Sequence, residues 1–190
     1  MKRITIAAAI AALLVTLPVA AETETFTLDP NHTFPAFEVD HFGYSTQRGR
    51  FNKSAGKITL DSAARKGSAE IAIETASIST GNPKLEEHLR SPDFFDAAAF
   101  PQMTFKSNDF AFDGERVRSA SGDLTLRGIT RPVALKAERF ICGVHPMLKK
   151  KVCGAEFTAT IKRSEFGIKA YLPGLGDEVL LRINVEAIKD

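Results

Sequence analysis

The chain has 190 residues, 25 of them Lys or Arg and 23 Asp or Glu, with 14 Phe against 2 Tyr and no Trp. So even a charge balance gives no basis for nucleic-acid binding, which rests on clustered cations that neutralise phosphates. Fourteen aromatic rings without a hydrogen-bonding handle require an interior that is very dry or filled by something equally apolar.

Lys2 and Arg3 precede an apolar run from Ile4 to Leu17, and Val19-Ala20-Ala21 offers small residues for a signal peptidase. Residues 1–21 are therefore expected to be a signal peptide and residues 22–190 one exported domain in the periplasm. The run is shorter than the roughly 20 residues of a spanning helix, and no later segment is apolar enough to cross a bilayer. Removing Lys2 and Arg3 leaves 23 basic and 23 acidic residues, a formal net charge of zero.

The first strand region runs from Asp29 to Gly43. Alternation places Phe37, Val39 and His41 on one face and Glu38 and Asp40 on the other. His32 lies an odd number of residues from His41, so the two could share a metal only across a bend, and no metal site is expected. Ala69, Ile71 and Ile73 alternate with Glu70 and Glu74 in a further strand. After Gly81-Asn82 the pattern changes. Pro83 suits a first helical position, Leu85 and Leu89 share a face, and Pro92 ends the turn, so a short helix is expected near one mouth. Phe94, Phe95, Phe100 and Phe105 follow, punctuated by prolines and aspartates.

Further strands are read at Val133, Leu135 and Ala137, at Phe157, Ala159 and Ile161, and from Val179 to Ala187. Cys142 and Cys153 are expected to form a disulfide in an oxidising compartment, stapling a hairpin. Lys149-Lys150-Lys151 reads as a solvated hairpin tip. Arg163 falls on the dry face, where a guanidinium needs a carboxylate or an anionic ligand beside it. About eight such runs after Phe34 indicate an all-β, antiparallel barrel, which closure favours over a sandwich. Its interior is either plugged by side chains or open to one ligand.

No nucleophile elbow or phosphate-cradling loop is present, and Pro173-Gly174-Leu175-Gly176 reads as a loop before the last strand. One enzymatic alternative remains: a hydrolase or isomerase of a small amphiphile with Asp29, His32 and His41 as acid-base groups. It requires His32 and His41 to meet in the pocket.

Asp29-x-x-His32, Phe37-x-Val39-x-His41, Gly49-x-Phe51, Leu89-Arg90-Ser91-x-Asp93-Phe94-Phe95-Asp96, Phe100-Pro101 and Phe105 together resemble the YceI-like family. Gly122-x-Leu124-x-Leu126-x-Gly128-x-Thr130, then Arg163-Ser164-x-Phe166-Gly167, then Val179 onward, continue the resemblance across the mature chain. Pro35 departs from it, in place of an apolar residue able to join the ladder. The resemblance implies a lipocalin-like barrel of about eight strands with a short helical insertion near one mouth. It also implies a periplasmic carrier, not an enzyme, that sequesters an isoprenoid or similar long-chain amphiphile, polyprenyl phosphate or quinone, and needs no cofactor. The expected ligand-binding residues are Phe37, Val39, His41, Phe51, Phe94, Phe95, Phe100, Phe105, Leu124, Leu126, Phe157, Ile161, Arg163 and Phe166. A phosphate head would draw on Arg163, His41 or Arg90, and a quinone on His41 and Tyr44. Homodimerisation and transient membrane contact stay open, as does a stress-related barrel plugged by its own phenylalanines.

Overall fold

Period-two alternation yields eleven strands in the computed structural model, which describes residues 22–190; the leader assigned to residues 1–21 lies outside the described residues. They are β1 (Glu24–Leu28), β2 (Phe34–His41), β3 (Ser45–Phe51), β4 (Ser54–Asp61), β5 (Lys66–Glu74), β6 (Ile78–Ser79), β7 (Gln102–Asp113), β8 (Arg116–Leu126), β9 (Ile129–Val144), β10 (Lys151–Lys162) and β11 (Leu175–Lys189). Eight of them close a ring in the order β1, β4, β5, β7, β8, β9, β10, β11 and back to β1, every pair antiparallel. The ring includes β1, which lies before the runs read from Phe34 onward.

The other three strands splay from this ring. One edge of β11 serves two partners: Leu175 to Asn184 pair with β2, and Ala187 to Lys189 pair with β1. β2 continues to β3, as β1 continues to β4, so the two ladders lie end to end along the same wall. β3 then meets only Ile78 and Ser79 of β6. Among the described residues no ladder joins β6 to β7. The barrel is therefore hydrogen-bonded all round at one pole and gapped at the other. Pro35 fits because its β3 partners begin only at Ala36, leaving its N–H-less side without a ladder to serve.

A short helix, α1 (Pro83–Arg90), bridges the gap. Asn82 Oδ1 accepts from the N–H groups of Lys84 (3.1 Å) and Leu85 (3.3 Å), and Glu86 Oε1 accepts from those of Thr80 (2.7 Å) and Gly81 (3.1 Å). The two bonds to Asn82 satisfy donors that a helix start otherwise leaves open, and the two to Glu86 tie the preceding turn to the helix. The Thr80 amide holds the Glu86 carboxyl below its ordinary range, against the opposing pull of desolvation.

β9 carries a bulge. Arg139 pairs with Glu156 and Ala137 with Phe157, leaving Glu138 as an extra residue. Past it the inward parity reverses, so Phe140 and Cys142 turn to the interior and Ile141 turns out. Cys142 and Cys153 sit directly opposite each other and form the disulfide just below the hairpin turn.

Candidate functional site

The barrel interior is an open, almost wholly apolar cavity of about 580 Å³, within the range of small-molecule sites. A barrel plugged by its own phenylalanines is thereby ruled out. Cys153 and Ile161 of β10 both line the cavity, which places its ends roughly 26 Å apart at the rise of a strand. Phe26, Leu60, Phe140, Cys153 and Ala187 form the floor at the fully bonded pole, where Phe26 and Ala187 are buried. The walls come from the inward positions of each strand, among them Ile71, Ile73, Val133, Leu135 and the odd residues Val179 to Ala187 of β11.

The gapped pole is the mouth. Its polar groups are His41, Gln47, Arg48, Thr80, His88 and Tyr171. α1 lies across it and presents Leu85, His88 and Leu89 to the cavity. The lid is an aromatic assembly. Phe51 and Phe95 meet edge to face at 5.4 Å, Phe37 lies 6.1 and 6.2 Å from them, and Phe94 stacks on Tyr171 at 6.1 Å and meets His88 edge-on at 5.0 Å. Arg127 Nη1 donates to the Phe94 carbonyl (2.7 Å), tying the lid to the β8–β9 turn.

Twelve of the fourteen expected residues line the cavity: Phe37, Val39, His41, Phe51, Phe94, Phe95, Phe105, Leu124, Leu126, Phe157, Ile161 and Arg163. Phe100 and Phe166 lie off the wall. The Phe100 ring packs over Gly128, close enough that a Cβ there would meet it at 3.1 Å, and Phe166 is buried in the core behind the mouth. Arg163 reaches the wall but differs from expectation in its partners. Nε, Nη1 and Nη2 donate to the carbonyls of Gly176 (2.7 Å), Ile168 (3.1 Å) and Leu175 (2.9 Å). Among the described residues no carboxylate bonds it. Asp177 is instead held low by the Ser164 hydroxyl and amide, while burial lowers the Arg163 guanidinium. Arg163 thus pins the loop before β11, and its three bonded nitrogens are committed to backbone. Arg90 faces Glu86 at 3.9 Å, and Tyr44 is 90% exposed beside the mouth.

The acid-base alternative does not assemble. His41 packs edge-on against Phe42 at 4.8 Å at the mouth, whereas His32 lies before the start of β2, at the other end of that strand. His32 Nδ1 is 2.7 Å from Asp29 Oδ2, which lowers the Asp29 carboxyl and raises the His32 imidazole. Glu186 brings a third donor atom within 4.8 Å of that pair, on the barrel's outer surface. A sequence reading missed His88 and Tyr171. His88 shares the Leu85 and Leu89 face of α1 by its spacing, a legible signal, whereas nothing local marks Tyr171.

A model of the YceI-like domain matches residues 26–187. Protein YceI of Escherichia coli O157:H7 is 38% identical over 161 residues, spanning 83% of this chain and 82% of the relative. A UPF0312 protein of Pseudomonas aeruginosa is 37% identical over the same shares. Among solved structures, Burkholderia cenocepacia BcnA superposes with a TM-score of 0.70 at 23% identity, over 84% of this chain and 98% of that one. A Campylobacter jejuni YceI protein superposes at 0.67 with 26% identity, over 80% and 90%. A polyisoprenoid binding domain from Saccharophagus degradans superposes at 0.65 with 15% identity, over 87% and 98%. With the family model spanning the whole ring of strands, this chain belongs to the YceI-like family.

Proposed function

We propose that the barrel binds an isoprenoid or similar long-chain amphiphile and sequesters it in the periplasm by burying its tail, without chemical change. The observation that carries this reading is the shape and chemistry of the cavity: long, almost wholly apolar, and with its polar lining gathered mainly at one mouth. The likeness in fold to a domain that binds polyisoprenoid supports it. Each methylene removed from water contributes about 0.8 kcal/mol, so one five-carbon unit gains on the order of 4 kcal/mol. Micromolar affinity needs about 8 kcal/mol net, which several buried units supply after the cost of ordering the tail. The head group rests at the mouth among His41, His88 and Tyr171, and a quinone or a polyprenyl phosphate fits that arrangement of tail and head.

Mass spectrometry of an organic extract of the freshly purified native protein tests this. A stoichiometric prenyl chain is the expected result, and an extract without any long-chain lipid would overturn the proposal. Phe105→Asp or Phe157→Asp places a charge in the middle of the tunnel and should abolish lipid uptake. Undiminished uptake by either variant, still folded by circular dichroism, would remove those residues from the site.

A further inference from the structure

Large exposed hydrophobic side chains occur at only two places among the described residues. Phe42, Tyr44 and Tyr171 ring the mouth, and Ile141, Val144, Met147 and Leu148 crowd the β9–β10 hairpin at the opposite pole. The hairpin group is the larger, with Met147 84%, Val144 72%, Ile141 65% and Leu148 50% exposed. Its charge is of one sign: from Phe140 to Ala155 there are three lysines and no acid. Lys151 is paired with Glu24. Lys149 and Lys150 make no salt bridge among the described residues, and Asp190, the acid near Lys150, is held by Lys57 at 2.8 Å.

The tip is also built to hold its shape. His145 Nδ1 accepts from the N–H groups of Met147 (3.3 Å) and Leu148 (3.1 Å), so the imidazole folds the turn from within and leaves both apolar side chains outward. The His145 N–H donates to Lys150 O (2.8 Å), and Lys149 adopts a left-handed φ of 56°. The disulfide lies directly below. A rigid convex finger with apolar residues at its end and lysines at its side is complementary to a negatively charged lipid interface, where apolar groups enter and cations meet the head groups.

We propose that the β9–β10 hairpin tip docks this protein on an anionic phospholipid surface through Val144, Met147 and Leu148, with Lys149 and Lys150 as the charge contacts. The inference is independent of what the cavity holds. Docked this way, the mouth faces away from the bilayer, so attachment and loading take place at opposite ends.

The chain has no Trp, so single-tryptophan variants report each pole separately. Mixed with vesicles of phosphatidylcholine and phosphatidylglycerol, M147W should shift its emission to the blue and Y44W should not; vesicles of phosphatidylcholine alone should leave both unchanged. Replacing Lys149 and Lys150 together by Ala in the M147W background should weaken vesicle affinity about thirtyfold. A blue shift in Y44W with none in M147W would overturn the proposal in favour of docking by the mouth. A blue shift of M147W that grows with protein concentration without vesicles would overturn it in favour of a second copy covering the tip. Insensitivity to both lysines would overturn the electrostatic contact.

Discussion

The two poles of the barrel are made from the same long strands and differ in how the ring is finished. At the floor, β1 pairs with both β11 and β4, and every neighbouring strand is bonded to the next. At the mouth, β2 and β3 take over those positions, β6 ends after two residues, and the wall is completed by α1 and an aromatic loop. A continuous ladder leaves no way in, whereas a gap filled by packed rings can part without breaking a strand. The difference between bonded and packed closure leaves one end of the cavity sealed by backbone and the other covered only by side chains.

The strongest way to break this comparison is at the floor. Phe26→Ala empties a fully buried position in the bonded ring and should cost about 4 kcal/mol in urea unfolding. Phe95→Ala, in the partly buried lid, should cost distinctly less, and equal costs would show the poles to be equally stiff. Replacing both Cys142 and Cys153 with Ser should lower stability by about 3 kcal/mol, given the short loop the bond closes, while leaving the mouth and its amide exchange untouched. Asn82→Ala removes the helix cap at a cost of about 1 kcal/mol. Its effect should be confined to faster hydrogen exchange in Pro83–Arg90, so spread to β10 would show that the lid and ring unfold as one.

The smallest effect is electrostatic. Lys151 and Lys189 hold the Glu24 carboxyl below its ordinary value at the closed pole. A carboxyl lowered on folding stabilises above its ordinary value and loses that contribution as pH falls through the lowered one. Glu24→Gln should therefore cost under about 1 kcal/mol near neutral pH. The gap from the parent protein should close in acid, as followed by urea midpoints across pH.

Much of this was legible before the coordinates. Alternation from Val179 to Ala187 and around Phe157 gave the inward faces, and Asn82-Pro83 with Leu85 and Leu89 gave the helix, because both signals are local. β1 carries little local signal, since Glu24–Leu28 is short and its partners lie far along the chain. Alternation puts Arg163 on the dry face, but the three carbonyls that satisfy it come from a loop whose path no local pattern encodes. Phe100 lies in the same Phe-rich segment as the lid, and what takes it off the wall is the seating of its ring over Gly128, a contact remote in sequence.

The extra residue Glu138 decides the orientation of everything between it and the hairpin turn. A regular ladder through the same residues, with no bulge, would exchange odd for even along that stretch, driving Arg139 and Ile141 indoors and expelling Phe140 and Cys142. The chamber would gain a cation at its base, lose its sulfur bridge, and surrender an apolar residue from the surface finger. A single bulge thus sets what lines the base of the chamber and how oily the far tip remains.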